Sequence, residues 1–364
     1  MKDYFILLFL ASALCISCQT TLHGGENEKH FNYSDISERH ELANPIDIMP
    51  EELLNPANFR VMNDSVMVVT NQPNCEYLLE MYSLNTGKQL GKYASKGQGP
   101  EEMLSCYVFC NDNVSPNFYL MDGQMGMIYQ ENLNDLLSSQ SINKTLAYRY
   151  SSDIYINGGF CLMGEDGYVA SSNWYCPDDR FGNGLQHPLV SYKWGEDHGE
   201  ETDNYEHVVS PVTGSLVFRN PQNGLIWAAD VHRDRINVYN DSLKLVKSII
   251  GPDNMDPRIE LLQAGNVNFT YIGFSEGKIS YGYIDYFVTK KHIYMVYGGV
   301  ISDANAGLPP VHILKLDFDG NVLTDYYYPN YLFSISLDKD ENYLYAVSRE
   351  SYEKEIHFYR FDLH

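Results

Sequence analysis

Short apolar runs separated by turn residues recur along most of the chain. Runs such as Val66-Met67-Val68-Val69 and residues 292–297 are rich in β-branched and aromatic residues, which is typical of buried strands. The segments between them carry Gly, Asn and Asp, which tolerate tight-turn backbones, as at Asn85-Thr86-Gly87-Lys88. Helical periodicity is limited to residues 132–139 and 258–263. The pattern predicts an all-β protein built from hairpins.

One feature recurs at a spacing typical of propeller blades. The stretch Lys96-Gly97-Gln98-Gly99-Pro100-Glu101-Glu102 follows a predicted hairpin, and Gly251-Pro252-Asp253 follows a similar one. The offset, 251 − 99 = 152 residues, is close to three units of about fifty residues. Six units are predicted, over residues 58–95, 102–150, 154–206, 208–253, 271–329 and 331–364.

The last predicted unit is one strand short. Residues 343–348 and 355–361 form two clear strands, whereas residues 42–54 contain a weakly alternating segment bounded by Pro45 and Pro50, which suits an edge strand. A ring of sheets leaves an exposed seam unless its two ends pair. The sequence therefore predicts a six-bladed β-propeller over residues 42–364, with its last blade closed by an N-terminal strand.

The first eighteen residues have the pattern of an export signal. An apolar run over residues 4–16 is too short to span a bilayer about 30 Å thick, and it ends at Cys15-Ile16-Ser17-Cys18. A small residue directly before a cysteine resembles the lipobox of bacterial lipoproteins, which implies cleavage before Cys18 and diacylation of its thiol. A plain secretory signal is the alternative. Residues 19–41 are polar and charged, which predicts a flexible tether.

The net charge of the chain argues against some classes of partner. The 364 residues include 25 Lys and Arg against 48 Asp and Glu, for a formal net charge of −23. Nucleic-acid binding depends on cationic side chains that neutralise phosphates, so a nucleic-acid partner is not expected. The acidity is typical of a well-solvated surface, with cation binding or a basic partner as the alternative. The protein is expected to be a monomer.

Three features of the sequence together resemble a known family. They are the lipobox at Cys18, the glycine-proline motif at residues 96–101, and the final blade beginning Asp340-Glu-Asn-Tyr-Leu-Tyr. They are similar to the TolB-like six-bladed β-propeller lipoproteins of Bacteroidetes, which are related in shape to NHL-type propellers. The resemblance covers nearly the whole mature chain and implies a lipid-anchored protein of the cell envelope. No acidic cluster follows Cys18, which favours the periplasmic face of the outer membrane over the cell surface. No reaction is implied, because fold does not fix function.

Two polar segments are candidate ligand-binding sites. Residues 173–184 and 194–198 form a connection longer than a hairpin needs, and it holds aromatic rings beside charged groups. Residues 230–235 follow a predicted strand and form a dense polar turn. Packing over a blade edge and a local ion-pair network are the respective structural alternatives. The candidate residues are Trp174, Tyr175, Asp178, Asp179, Arg180, His232, Arg233, Asp234 and Arg235.

The sequence contains only weak indications of a metal site, a cofactor site or a disulfide. The turns at residues 317–321 and 338–342 begin with calcium-loop spacing but lack the later Gly and Glu, so hairpin turns are favoured and no metal or cofactor is predicted. Beyond Cys18, the thiols are favoured as buried small side chains, with one long-range disulfide as the alternative. These thiols are Cys75, Cys106, Cys110, Cys161 and Cys176.

Two function classes remain open. The favoured hypothesis is a non-catalytic module that binds a protein or glycan partner. The alternative is a propeller enzyme acting on a polysaccharide or lactone, as a lyase, glycoside hydrolase or lactonase, with catalytic residues unknown. Convergence of Asp178, Asp179, Asp230, His232 and Asp234 on the channel mouth would favour the enzyme, and their dispersal around the rim would favour the binding module.

Overall fold

The computed structural model describes residues 27–48, 55–110, 115–149, 156–163, 167–172, 189–193, 214–255, 259–263, 270–274, 278–303, 307–349, 351 and 355–363. Within these residues the chain consists mainly of β-strands, with one α-helix (Leu133–Ser139, α1) and one turn of 3-10 helix (Tyr33–Asp35). The all-β prediction is confirmed. The predicted signal peptide and Cys18 lie outside the described residues.

Three short N-terminal strands, Glu28–His30 (β1), Glu38–Glu41 (β2) and Ile46–Asp47 (β3), precede the first full sheet. Sheet I contains Pro56–Met62 (β4), Val66–Asn71 (β5), Tyr77–Ser83 (β6), Gln89–Lys96 (β7) and Glu102–Met103 (β8). Sheet II contains Tyr107–Phe109 (β9), Asn117–Asp122 (β10), Met127–Asn132 (β11) and Thr145–Arg149 (β12). Sheet III contains Ile156–Leu162 (β13), Gly167–Ser172 (β14) and Leu189–Lys193 (β15).

Sheet IV contains Ser215–Arg219 (β16), Ile226–Asp230 (β17), Arg235–Tyr239 (β18) and Leu245–Ile250 (β19). A separate hairpin of Ile259–Gln263 (β20) and Thr270–Phe274 (β21) follows. Sheet V contains Lys278–Val288 (β22), Ile293–Asp303 (β23), Val311–Leu316 (β24) and Val322–Tyr328 (β25). Sheet VI contains Tyr331–Leu337 (β26), Tyr343–Arg349 (β27) and Ile356–Asp362 (β28).

Neighbouring sheets pack face to face around their first strands. The first strands of sheets V, VI, I and II contact one another in that order, and so do those of sheets III, IV and V. Buried apolar clusters fill the spaces between facing sheets; the cluster between sheets IV and V contains Trp227, Tyr283 and Met295. Equivalent clusters lie between sheets I and II, III and IV, V and VI, and VI and I. This radial arrangement is a β-propeller.

The two ends of the propeller carry different connections. Successive strands of a sheet are antiparallel, so the turns between them alternate between the two ends of the propeller. In a four-stranded sheet, the turn between the second and third strands therefore lies at the same end as the link from the fourth strand to the next sheet. We call this the mouth end, and it contains the turns at residues 230–235 and 251–253. We call the opposite end the lower end, and it contains the turns at residues 317–321 and 338–342.

Two glycine-proline turns follow the fourth strands of sheets I and IV. The recurrence seen in the sequence therefore corresponds to a separation of three sheets. In the first turn, the Glu102 carboxylate accepts a hydrogen bond of 2.8 Å from the Gly99 N–H. In the second, Gly251 has a φ of +130°, and a Cβ there would lie 2.0 Å from the Phe31 carbonyl oxygen. Glycine is required because the N-terminal segment crosses sheet IV at this point.

Residues 27–48, which we call the strap, run along the outer edges of three consecutive sheets. β1 pairs in parallel with β19, β2 in parallel with β25, and β3 antiparallel with β28. The sequence predicted a flexible tether over residues 19–41, and from residue 27 onward the structure differs from that prediction. The physical reason is that the strap backbone satisfies N–H and C=O groups that the edge strands would otherwise leave unpaired.

Three apolar side chains fix the strap to the propeller. Phe31 and Ile36 are 8% and 6% exposed and belong to the cluster between sheets IV and V, while Leu42 is 5% exposed and belongs to the cluster between sheets V and VI. The strap strands themselves are short and largely solvent-exposed. The strap is therefore part of the hydrophobic core through its connecting residues rather than through its strands.

One of the two helices suggested by periodicity is present. The segment at residues 132–139 contains α1, and its N-cap Asn132 accepts hydrogen bonds from the backbone N–H groups of Asn134 and Asp135 at 3.0 and 3.3 Å. The helix suggested for residues 258–263 is wrong, because Ile259–Gln263 is a strand paired with Thr270–Phe274. That partner is rich in β-branched and aromatic residues, so strand pairing overrides a weak helical pattern. Sheet V accordingly begins at Lys278 rather than at residue 271.

Candidate functional site

The turn at residues 230–235 is the described part of the predicted site. Asp230 is buried, and its carboxylate accepts hydrogen bonds from Arg233 Nε at 2.6 Å and from the His232 backbone N–H at 2.9 Å. Arg233 Nη2 also lies 2.6 Å from Asp230 Oδ2 but has no hydrogen-bond geometry, so this second contact is electrostatic. A buried ion pair therefore holds the turn.

The same turn is bound to its neighbours. His232 Nδ1 donates to the Ser280 carbonyl oxygen at 2.7 Å, and Ser280 Oγ donates to the His232 carbonyl oxygen at 2.5 Å. A Cβ at Gly282 would lie 2.6 Å from the Arg233 carbonyl oxygen, so the turn sits directly on β22. Arg235 Nη2 lies 3.4 Å from Glu28 Oε1 of the strap. These contacts join sheet IV to sheet V and to the strap, and the role of these side chains in ligand binding stays a prediction.

Asp234 organises the adjacent glycine-proline turn. Its buried carboxylate accepts backbone hydrogen bonds from Asp253 at 2.9 Å, from Met255 at 3.0 Å and from Asn254. Burial raises the pKa of Asp234, and these N–H groups only partly offset that shift. The Asp253 carboxylate in turn accepts the Tyr297 hydroxyl at 2.9 Å. The Asp234 carboxylate thus fixes the backbone of this turn, and the Asp253 carboxylate joins the turn to the Tyr297 side chain of sheet V.

The other predicted segment can be placed only through the strands that flank it. Trp174, Tyr175, Asp178, Asp179 and Arg180 lie outside the described residues, so their role stays a prediction. The flanking strands β14 and β15 are paired, with Ser171 opposite Leu189. They are the second and third strands of sheet III, so the chain leaves β14 and enters β15 at the mouth end, as it does at residues 230–235 of sheet IV. The described ends of these two strands, Ser172 and Leu189, therefore lie at the end of the propeller that contains the turn at residues 230–235.

The first strands also hold a buried charge pair that no sequence motif marks. Arg60 of β4 is 8% exposed, and its Nη2 lies 3.4 Å from Asp285 Oδ1 of β22. Arg60 Nη1 donates to Asn58 Oδ1 at 3.1 Å and to Ser334 Oγ of β26 at 3.2 Å. Burial opposes the charge of this guanidinium, but the Asp285 carboxylate and other neighbours outweigh it and raise the pKa of Arg60. Three sheets are thus joined at the channel by one polar network.

Side chains of the first strands also bond to the backbone of the neighbouring first strand. Asp285 Oδ2 accepts from the Ile335 N–H at 2.8 Å, and Ser336 Oγ accepts from the Val61 N–H at 3.0 Å. A first strand is an edge strand, so its inward-facing N–H and C=O groups have no partner within their own sheet. These bonds supply the missing partners and set the spacing between sheets V, VI and I. In two further examples, the Asn58 side-chain amide donates a hydrogen bond to the Val108 carbonyl oxygen, and the Tyr286 hydroxyl donates one to the Val217 carbonyl oxygen.

Aromatic side chains lie where the first strands begin at the mouth end. Tyr107 opens β9 and is 42% exposed. Two residues further on, the Phe109 ring stacks on Tyr119 with centroids 5.3 Å apart. Tyr331 opens β26, and its ring meets Tyr281 of β22 edge to face at 6.1 Å. Tyrosine combines a large apolar face with a polar tip, so this rim is chemically suited to contact a ligand at the channel entrance.

The turns with calcium-like spacing are hairpin turns at the lower end. Asp317 Oδ1 accepts from the backbone N–H groups of Asp319 and Asn321 at 2.9 and 2.8 Å. Asp338 Oδ1 accepts from the Tyr343 N–H at 2.7 Å. The bond from Asp319 to Asp317 is typical of an Asx turn, and the bond from Tyr343 to Asp338 spans its hairpin turn. Within the described residues, no group of three or more His, Cys, Asp or Glu side chains is placed to hold a metal ion.

A second buried ionic group, around Glu341, joins sheets V and VI at the lower end. Glu341 Oε2 lies 2.7 Å from His292 Nδ1 and accepts the Tyr294 hydroxyl at 2.9 Å, and Lys315 Nζ lies 3.3 Å away. Burial alone would raise the pKa of Glu341, but hydrogen bonds from Thr289, His292 and Tyr294 outweigh it, so this pKa is lowered. The carboxylate is charged and fully engaged, which is typical of a structural role.

The described cysteines form no disulfide with one another. Cys106 and Cys161 are buried, as predicted for small core side chains, whereas Cys75 and Cys110 are only half-buried. Burial raises the pKa of Cys161 to about 12, so its thiol stays protonated at neutral pH. Cys176 lies outside the described residues.

A family model for TolB-like 6-blade propeller-like proteins matches residues 48–340. The chain belongs to this family. A crystal structure of a DUF4221 family member from Bacteroides vulgatus is similar with a TM-score of 0.52 and 10% identity, covering 88% of this chain and 96% of that chain. The C-terminal WD40 domain of Sif2 gives a TM-score of 0.39 and 11% identity over 85% of this chain and 81% of that chain. No curated protein matches.

Membership of the TolB-like family suggests a binding or interaction module. Among the described residues, no helix is long and apolar enough to cross a membrane.

Some site residues were not predicted from the sequence. They are Arg60, Asp285 and the tyrosines at the mouth end, Tyr107, Tyr281 and Tyr331. A signal for the first two was present, because each is a charged residue within an otherwise apolar strand, and such residues are buried only when paired. The tyrosines carried no signal, since the chain has thirty of them.

Proposed function

We propose that this TolB-like protein is an envelope-anchored, non-catalytic binding module that recognises a protein or glycan partner at its mouth end. The observation that carries the proposal is the exposure of Tyr107 at the start of a first strand, at the same end of the propeller as the partly exposed Tyr281 and Tyr331. Aromatic anchors dominate the energetics of recognition surfaces because they bury large areas at small entropic cost. The described turn at residues 230–235, one of the two candidate segments, lies at the same end.

The carboxylates of the mouth turn support recognition rather than acid-base chemistry. Asp230 is paired with Arg233, and Asp234 is occupied by backbone N–H groups. A general acid or base must be free to exchange a proton with a substrate. The polysaccharide- or lactone-cleaving alternative thus finds no support from these two groups.

We also propose six blades in a closed ring, with β3 completing sheet VI. Support comes from the pairing of Ile46 with Arg360 and of Asp47 with Tyr359, from the family description, and from the six first strands β4, β9, β13, β16, β22 and β26. The anchor is proposed to be diacylated Cys18, which holds a monomeric propeller at the periplasmic face of the outer membrane.

Replacing Tyr107 with Ala is expected to weaken binding about tenfold or more, because an aromatic hot spot contributes about 2 kcal/mol. The probes are an array of soluble oligosaccharides and, separately, proteins solubilised from the envelope and cross-linked to the propeller. Leu245→Ala is the matched control, since Leu245 is 43% exposed at the lower end. Equal binding by Tyr107→Ala and wild type would contradict the proposed surface, and cleavage products from an oligosaccharide would establish the enzyme instead.

Cys18→Ser is expected to abolish lipid attachment. Cells grown with a clickable fatty-acid analogue should label the wild-type protein and leave the variant unlabelled, with the variant released into the soluble fraction. The anchor proposal fails if both forms carry the same label.

A further inference from the structure

Arg349 is a half-buried cation at the mouth end that has no partner within the described part of the chain. It ends β27, directly opposite Tyr331 of β26. Its Nε is buried without a hydrogen bond, and no described carboxylate forms an ion pair with it. Arg60, by contrast, is paired with Asp285. Because the chain has 48 carboxylates against 25 Lys and Arg side chains, an unpaired guanidinium in this position calls for an explanation.

A buried acceptor without a partner ends the corresponding strand of the neighbouring sheet. Asn71 ends β5 of sheet I and is 4% exposed. Its Nδ2 donates to the Tyr77 carbonyl oxygen at 3.1 Å, whereas its Oδ1 is buried and accepts no hydrogen bond from any described residue. A buried polar atom without a partner lowers stability unless a ligand or a water molecule satisfies it. A donor and an acceptor in this state thus lie at the mouth ends of sheets VI and I.

Both side chains lie on the faces that sheets VI and I turn toward each other. Arg349 is directly opposite Ile356 and two residues beyond Val347, and both of these belong to the apolar cluster between the two sheets. Asn71 is two residues beyond Val69, another member of that cluster. Side chains alternate along a strand, so Arg349 and Asn71 are on the same side as the cluster. The space between these sheets is therefore apolar inside and polar at its opening on the mouth end.

A guanidinium facing an amide oxygen across this opening specifies the chemistry of a ligand. The N–H donors of Arg match the geometry of a carboxylate, and the Asn71 Oδ1 accepts from a hydroxyl or N–H group. The ligand is therefore expected to carry a carboxylate with a donor next to it. β5 and β27 are flanked by strands on both sides, so neither offers a free backbone edge to a peptide. A uronic acid fits better, because its carboxylate and a hydroxyl group project from neighbouring carbons of one ring.

We propose that the opening between sheets VI and I is a subsite for an acidic sugar, in which Arg349 binds the carboxylate and Asn71 accepts from the neighbouring hydroxyl. This inference rests on the proposed recognition at the mouth end and narrows the partner to a glycan that contains uronic acid. Tyr331, opposite Arg349, supplies an aromatic surface for the sugar ring. The net charge of −23 gives no long-range attraction for such a glycan, so binding depends on the Arg349 guanidinium itself.

Calorimetric titration of the full chain with digalacturonate, a disaccharide of uronic acids, tests the subsite. Arg349→Met keeps the apolar stem and removes the charge, and it is expected to weaken binding about tenfold or more, because a hydrogen bond to a charged group is lost. The methyl ester of digalacturonate should bind the wild type more weakly by a similar factor. Arg360→Met is the matched control and should bind as the wild type does. Arg360 is also half-buried, but it lies at the lower end, 4.8 Å from the centroid of the Tyr343 ring.

The stability of the unliganded protein is a second readout. Removal of a buried donor without a partner should leave the melting temperature of Arg349→Met equal to or above that of the wild type. A clear fall in melting temperature would mean that Arg349 holds the sheets together, and the subsite would be wrong. It would also be wrong if the wild type did not bind digalacturonate at millimolar concentration, or bound only a dipeptide with a free carboxyl terminus.

The same measurements separate the subsite from the proposed function. If Tyr107→Ala weakens partner binding while Arg349→Met binds digalacturonate and partner as the wild type does, recognition at the mouth end stands and the subsite is overturned. If Arg349→Met and the methyl ester both lose binding while Tyr107→Ala has no effect on any partner, the subsite stands and the tyrosine surface is wrong.

Discussion

Replacing Phe31, Ile36 and Leu42 together with Ala is expected to prevent stable folding. All three side chains are less than 10% exposed and fill the spaces between sheets IV, V and VI. A buried Phe, Ile or Leu truncated to Ala costs about 2–5 kcal/mol, and a domain is stable by only about 5–15 kcal/mol. Thermal unfolding monitored by circular dichroism should show a large loss for each single variant and no cooperative transition for the triple variant.

Leu245→Ala is the matched control for the strap variants, because it removes a similar side chain from an exposed position. Its melting temperature should stay close to that of the wild type. The interpretation would be wrong if the triple variant melted within a few degrees of the wild type, since the strap would then be an appendage. Deletion of residues 19–26 alone should leave stability unchanged, because the described anchoring contacts begin at residue 27.

The strap shows why part of the fold could not be predicted from the sequence. Hairpins such as the one formed by β6 and β7 could be predicted, because the apolar runs of the two strands and the turn residues between them lie within a few residues of one another. Glu38–Glu41 is short, charged and exposed at all four positions, so it carries no hydrophobic alternation. Its pairing with β25 comes from backbone groups about 286 positions away, and backbone groups carry no signal in the sequence.

The candidate site divides in a similar way. The turn at residues 230–235 was recognisable because its charged residues are consecutive, and the structure shows that they bind one another and β22. The Arg60 network joins residues up to 275 positions apart, so only the unusual presence of a charge in an apolar strand marked its members. Which turns lie at the mouth end also depends on the order of strands in each sheet, and no local sequence motif encodes that order.

Arg60→Ala is expected to destabilise the protein by about 3–5 kcal/mol, because it leaves the Asp285 carboxylate charged and unpaired in a buried site. The variant also removes the donors that Arg60 supplies to the carbonyl oxygens of Phe59 and Ile335. The contact between sheets I, V and VI is therefore weakened at its centre. Chemical denaturation monitored by fluorescence should show a lower midpoint with little change in the slope.

Two further variants make the Arg60 test specific. The double replacement Arg60→Met with Asp285→Leu should recover much of the lost stability, because apolar residues of similar volume remove the unpaired charge. Lys339→Ala breaks the exposed pair with Asp64 at 3.5 Å and should cost at most about 1 kcal/mol. If Arg60→Ala were no more destabilising than Lys339→Ala, the buried pair would not be what joins the first strands. If instead the double variant were less stable than Arg60→Ala, the loss would come from the missing hydrogen bonds to the backbone rather than from the unpaired carboxylate.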